Sequence, residues 1–571
     1  MQNGPLGHSS AAAMRSRSLQ PALQVIKPSQ GEVGASEEPS SELFTVPASM
    51  GVQPKSISGQ YPRIRRRSLL KYAPLLVLSL IIQANVWQIT DPDLWGHIRF
   101  GQVMLSSGQI VSHDSFSYTA FGSSWYDHEY LTEIIMAVFY NAAGVVGLKI
   151  WKFLSVAAII VFLVIGLAET NVSCLVQLYT LAMAVVVSAP FVQFRPQVYT
   201  YVLFALTLAL LAADNYRGSG PLWLMVPVMM LWSNLHGGFI IGLITIMTYA
   251  GAVGLLNLFN GRGLQHACKL GAIAIAAIGA TLLPPCGLNS WHAVLTAIRN
   301  PMTLRIIVDW QPLGTAMMTQ WNYSHYGIIT YLCLFIFWVG LALSLVVRPH
   351  GGDFPLVLIA LVMSLAAVKS VRNVPLGAIA CVMPAARHLG LLLPDWMQAS
   401  AADPIPAWPV QWLIAGASLL LTSREVISPQ LPTDMAYPSG AVSFMQQRQL
   451  RGNVLADFDW GEYLIWHLGS DSKVFVDGRY DTVYPLRVIK DYLAFYYWVL
   501  PGADKVPKSY AQDFILIPPD AKAYGKMIRI PGWKLIYRDG ESALFARADS
   551  RAAQLPGIPV RGSAPSVQYF P

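Results

Sequence analysis

Charge is scarce in this sequence. Of its 571 residues only 12% are Asp, Glu, Lys or Arg, whereas 54% are hydrophobic, and the mean hydropathy is +0.44. A chain so composed has too little polar surface for a soluble fold and needs lipid around it. Cysteine is sparse as well: Cys174, Cys268, Cys286, Cys333 and Cys381 lie in or beside apolar segments without ligand spacing, and read as small buried residues. There is no HExxH, no Gly-rich phosphate loop and no Ser-His-Asp spacing, so proteolysis, ATP use and thiol chemistry lack their parts. The net charge of +8 sits at loop ends, where it sets orientation in a membrane, and gives no support to nucleic-acid binding.

Long apolar runs are what the chain has in abundance. A bilayer core takes about 20 apolar residues per helix, and the stretch 73–427 supplies them in series: 73–89, 148–168, 172–190, 196–213, 221–235, 238–258, 267–284, 325–347, 354–370, 373–393 and 408–427. Residues 1–72, rich in Ser, Pro, Gly and Ala, read as a disordered cytoplasmic tail with no signal peptide. The tail closes on RIRRRSLLKY (63–72), whose positive charges hold that end inside, and Arg217, Arg262, Lys269, Arg348 and Arg387 continue the bias. Lys149, Lys152, Arg299, Arg305 and Lys369 count against it. An odd number of spans places residues 428–571 outside. There charge rises, short apolar blocks alternate, helical patterns cover 459–468 and 485–498, and Asp539-Gly540 signals a hairpin. The fold class is therefore an α-helical polytopic membrane protein of about eleven spans with a C-terminal extracytoplasmic α/β domain.

The loop 90–147 between the first two spans is too rich in acids and histidines for a plain connector. It opens DPDLWGHIRFGQ (91–102) and continues SHDSFSYTAFGSSWYDHEYLTE (112–133), and its segments 96–108 and 128–144 have the pattern of short helices lying along the membrane surface. Arg195, Asn234, His236, Arg372 and Asn373 at span ends, with Asp309 and Trp310 in the 285–324 loop, all map to the same outer face. Ionisable groups near lipid cost a few kcal/mol each, so their convergence points to a cleft. A transporter would place such groups at the bilayer midplane in broken helices. Asp91 and Asp93 beside His97, faced by arginines, suit proton removal from a hydroxyl and capture of a phosphate.

The segment Asp93-Leu94-Trp95-Gly96-His97-Ile98-Arg99 resembles the D-x-[WY]-[YW]-H-x-R stretch after the first helix of oligosaccharyltransferase catalytic subunits, with Gly96 in place of the second aromatic. DFDWGEYLIW (457–466) is similar to their W-W-D-Y-G-type acceptor motif, with Asp459, Trp460, Gly461 and Tyr463 on the matching positions. The chain thus resembles the GT-C superfamily of polyprenyl-phosphate-dependent glycosyltransferases. The resemblance implies an inverting enzyme of the inner membrane that moves a sugar from a polyprenyl-phosphate donor to a lipid, glycan or protein hydroxyl outside the cytoplasm. It implies Asp93 as base with Asp91 and His97 beside it, although either carboxylate could face the cleft. Arg195, Arg372 and His236 would hold the donor phosphate, and Asp459, Trp460, Tyr463, Asp127 and Glu129 the acceptor. Those oligosaccharyltransferases carry a metal-binding D-x-D pair in their next outer loop. Here that loop reads SAPFVQFRPQ (188–197), so no metal ligand or cofactor is assigned, a divalent metal stays open but without a second acidic motif to support it, and single-sugar transfer is favoured over that of a whole oligosaccharide. An oligosaccharyltransferase or polymer ligase, and a non-enzymatic transporter or assembly protein, are the alternatives.

Overall fold

The computed structural model describes residues 90–300, 307–320, 325–348, 351–393, 427–433, 435–498, 502–555 and 569–571. The N-terminal tail 1–72, the expected span at 73–89 and nearly all of that at 408–427 lie outside the described residues. Among the described residues six helices are long and apolar enough to cross a membrane, and three shorter apolar helices accompany them. This is an integral membrane protein.

The apolar helices are α2 (Tyr130–Ala168), α3 (Cys174–Ser188), α4 (Val198–Arg217), α5 (Met225–Leu235), α6 (Phe239–Phe259), α7 (Gln265–Ala280), α10 (His325–Val347), α11 (Phe354–Lys369) and α12 (Val374–Leu392). Preceding them is α1 (Leu94–Ser107), and α8 (Gly287–Arg299) and α9 (Leu313–Gln320) lie in the loop before α10. Burial sorts the bundle: 83% of the apolar window is buried in α4 and in 371–392, against 33–39% in α6, α10 and 351–369. The first two are inner helices, and the others leave Met247, Phe335, Leu343 and Leu365 facing outward, as lipid contact requires.

The two helices expected in the first loop are present, with two differences. α2 does not stop at residue 144 but runs on into the span, broken only at Ala143 and Gly144, where Gly144 has φ +58°. That backbone suits glycine alone among ordinary residues. Nor does α1 lie along a lipid surface. Its apolar residues Leu94, Trp95, Ile98, Phe100 and Met104 occupy more than one face and are all buried against protein. α1 packs on α2, where a Cβ on Gly101 would stand 2.1 Å from the Glu133 carbonyl oxygen. On its other side it meets α14 (Gly461–Leu468), which follows α13 (Ser439–Gln447).

The C-terminal region carries a five-stranded mixed sheet of β2 (Asn453–Ala456), β3 (Lys473–Val474), β4 (Phe514–Ile517), β5 (Trp533–Arg538) and β6 (Ala543–Arg547), in the order β3-β2-β4-β6-β5. β5 and β6 form the antiparallel hairpin around Asp539-Gly540, while β2 runs parallel to β3 and β4. β1 (Leu431–Pro432) pairs with β7 (Tyr569–Phe570), and α15 (Leu486–Tyr497) packs against the short helix Lys522–Met527. The first loop extends this sheet. Ser117 bridges Val474 in parallel, Tyr118 N–H donates to the Val474 carbonyl at 3.1 Å, and Val474 N–H donates to the Phe116 carbonyl at 3.1 Å. Trp95 closes the junction from the other side, inserted among Tyr437, Tyr463, Trp466, His467 and Phe570 with centroids 4.5–5.9 Å away.

Candidate active site

α1 begins in a tight turn in which Asp91 Oδ1 accepts the Asp93 N–H at 3.0 Å. The turn sets both carboxylates where the bundle meets the sheet domain, a junction left partly open to solvent at Asp93 and Asp309. Arg195, from the turn between α3 and α4, reaches them: its Nη2 stands 2.5 Å from Asp91 Oδ2 and 3.2 Å from Asp93 Oδ2, and its Nη1 3.0 Å from Asp309 Oδ2. Asp91 is the more enclosed of the pair, 9% exposed against 31% for Asp93. Asp93 therefore has the freer access. Burial and the neighbouring Asp91 push its carboxyl well above the usual range, partly offset by Arg195. Three carboxylates in turn hold Arg195 firmly charged.

A fourth carboxylate arrives from the sheet domain. Glu462 Oε2 accepts the Gly96 N–H at 3.0 Å, and Cβ atoms built on Gly478 would stand 2.3 Å from Asp93 Oδ1 and 2.8 Å from Glu462 Oε1. Asp93 and Glu462 thus share one small space, and burial with the Asp93 charge raises Glu462 as well. The absence of an aromatic at position 96 now has a physical reason, because any Cβ there would stand 2.1 Å from Glu462 Oε2. Gly96→Ala is expected to expel Glu462 and leave a buried N–H unpaired, a loss of about 1–3 kcal/mol. Thermal unfolding in detergent should show it, while Glu462→Gln, which keeps the acceptor oxygen, stays near wild type.

The histidines form a second group beside the first. His97 Nδ1 is 2.8 Å from Glu133 Oε1, and His236 Nε2 is 3.3 Å from Glu129 Oε1. Burial pushes His97 down to about 3, lowers His128 and His236 too, and lifts Glu129 to about 8. Burial thus favours the neutral form of all three imidazoles and of the Glu129 carboxyl. Arg372 lies over the Trp310 ring at 4.3 Å and has no carboxylate within ion-pair distance among the described residues. That leaves its guanidinium available to an anion.

No family model matches the chain, and no curated protein matches it. Its structure is similar to that of the Archaeoglobus fulgidus oligosaccharyltransferase in the apo form, at 13% identity over 79% of this chain and 69% of that one, with a TM-score of 0.50. The fold is GT-C-like. Weaker likenesses run to the mycobacterial arabinofuranosyltransferase AftD (13% identity, 85% of this chain and 40% of that one, TM-score 0.49) and to ArnT from Cupriavidus metallidurans bound to undecaprenyl phosphate (12%, 84% and 98%, 0.43).

Within this GT-C-like frame the residues expected from sequence are not all gathered. Asp91, Asp93, His97, Asp127, Glu129, Arg195, His236 and Arg372 converge. Asp459 stands near enough to raise Asp93 further. Trp460 and Tyr463 do not line the cleft: Trp460 is 3% exposed with its Nε1–H donating to the Ala436 carbonyl, and Tyr463 stacks on Tyr437 at 4.7 Å. Their bulk and apolar character take them into the core. The residue of that segment which reaches the site is Glu462, one position before Tyr463, through its bond to the Gly96 N–H. Arg195, expected as a free phosphate clamp, is already paired with three acids. Glu133, Asp309 and Glu462 are the acidic groups that the two motifs did not single out.

Proposed function

We propose that this protein is a membrane glycosyltransferase that moves a sugar, with inversion, from a polyprenyl-phosphate donor to a hydroxyl of a lipid, glycan or protein acceptor at the extracytoplasmic face. The observation that carries the reading is Asp93, a partly exposed carboxyl with a raised proton affinity held by Arg195, together with the unpaired guanidinium of Arg372 near Arg195 and Asp309. Asp93 takes the acceptor proton as the hydroxyl attacks the anomeric carbon. Arg195 orients Asp93, and Asp91 anchors Arg195. Arg372 receives the leaving phosphate by charge-assisted hydrogen bonds. Glu129 and His236, between Arg372 and His97, border the sugar, and Asp459 with Glu462 faces the acceptor. The N-terminus is cytoplasmic, and both the first loop and the sheet domain lie outside.

The test of the donor side is binding of polyprenyl phosphate in detergent micelles. Arg372→Ala removes a contact worth about 1.5–3 kcal/mol, which corresponds to a rise of roughly 10- to 150-fold in Kd. Unchanged binding would remove the phosphate from this place. The same purified protein, supplied with polyprenyl-phosphate sugars, should release polyprenyl phosphate only when the acceptor is present.

A further inference from the structure

Beside that junction, α1 and the start of α2 bring His97, Glu129 and Glu133 together so that one donor atom of each lies within 4.8 Å of the other two. Glu133 is only 3% exposed and its Oε2 has no hydrogen-bond partner. Asp127, 4% exposed, also has an unpartnered oxygen, Oδ2, and its carboxyl lies within hydrogen-bonding reach of Glu133. Neither carboxylate can donate to the other, so a buried contact of this kind holds either a shared proton or a cation. Of the basic side chains nearby, Arg195 is taken by Asp91, Asp93 and Asp309, and Arg372 stands over Trp310, near enough to act on Glu129 but not ion-paired with it.

We propose that His97, Glu129 and Glu133 bind one divalent first-row cation, Mn2+ or Zn2+, with Asp127 supporting Glu133. A set of one imidazole and two carboxylates suits these ions better than Mg2+ or Ca2+, which favour all-oxygen shells. His97 offers one ring nitrogen to the ion, and Glu133 Oε2 has no other partner. His236 is not a ligand. Its Nδ1 accepts the Gly238 N–H at 2.9 Å, so in the neutral ring Nε2 carries the proton and donates to Glu129. It orients that carboxylate from behind, a supporting contact whose loss commonly costs 10–100-fold in metal affinity. Donors around one ion at roughly 2.0–2.2 Å span at most about 4.4 Å, so the glutamate side chains close by under an ångström. Three protein ligands leave a coordination position open.

The assignment does not depend on the transfer reaction, and its test uses no sugar donor. The full-length protein in detergent, stripped with EDTA, is titrated calorimetrically with MnCl2 and with ZnCl2, and its metal content is counted after gel filtration. Wild type is expected to retain about one ion per chain. Glu129→Gln and Glu133→Gln are expected to lose it while eluting as wild type, and His236→Phe to bind at least tenfold more weakly. Failure of wild type to bind either ion, or retention undiminished in both glutamine variants, overturns the site. If Glu133→Gln does not fold, the wild-type titration decides alone. A wild type that binds no ion, together with a Glu133→Gln variant that melts higher, would identify a shared proton in the place of the cation.

Discussion

Asp93→Asn is expected to lower turnover by roughly 10²–10⁴-fold while leaving polyprenyl-phosphate binding and folding intact. The substitution keeps size and the contact to Arg195 Nη2 but removes the basic lone pair. Asp91→Asn should do less to the chemistry, because Asp91 is the enclosed partner that fixes Arg195 and the Asp93 N–H. Steady-state kinetics on both variants decides the assignment. If Asp91→Asn is dead and Asp93→Asn active, the base is Asp91, and full activity in both ends the glycosyltransferase reading. Burial and Asp91 raise the Asp93 carboxyl, so its base form appears only as pH climbs through that elevated range. kcat/KM should therefore rise with pH across it. Asp459→Asn, by taking away a like charge that raises Asp93, should shift this limb to lower pH.

Arg479→Met is expected to cost about 3–5 kcal/mol of stability. The Arg479 guanidinium is 5% exposed, bonds Asp477 at 2.6 Å and Asp114 at 2.7 Å, and lies 4.5–5.2 Å from the Trp125, Phe100 and Phe116 rings. Asp114 belongs to the first loop and Asp477 to the sheet domain, so one side chain joins the two. Removing it strands two carboxylates that are both 0% exposed. The melting temperature in detergent should drop by many degrees, and limited proteolysis should open the loop 112–129. Lysine should not rescue, since it offers neither the planar fork nor the ring stacking. The combination Asp114→Asn, Asp477→Asn and Arg479→Met, which leaves no charge unpaired, should recover much of the loss. A single Arg479→Met variant as stable as wild type would show that the rings and sheet contacts suffice.

The membrane helices were legible because lipid imposes a long apolar run that nothing else in the sequence imitates, and the hairpin because Asp539-Gly540 separates two alternating strands. The gathering of Asp91, Asp93, Arg195 and Asp309 was legible in part, since helix ends carrying charge must find water or one another. Their pairing was not. Arg195 has the same signature whether it waits for phosphate or is held by three acids. Glu462 was hidden for a different reason: its contact with Gly96 spans 366 residues, and a carboxylate on a short helix otherwise reads as solvent-facing. Trp460 and Tyr463 misled because aromatics at helical spacing fit a binding face and a core equally well. Glu133 and Glu129 lie four residues apart on or beside α2, but His97 joins them only through the packing of α1 at Gly101.

The strand-like pairing of residues 116–118 with β3 sets an order of assembly. A ribosome makes this stretch some 350 residues before its partner, as the Thr119 hydroxyl bonded to the Phe475 carbonyl, 356 positions away, records. β3 is the outermost strand of the sheet and only two residues long. Left bare, its free backbone groups would offer a docking edge to any other unfinished chain. A loop already made and tethered to the bundle serves as an internal chaperone for that edge. The late-made domain then matures against a surface that is waiting for it, and shortening the loop should show first as aggregation during biogenesis and only afterwards as lost activity.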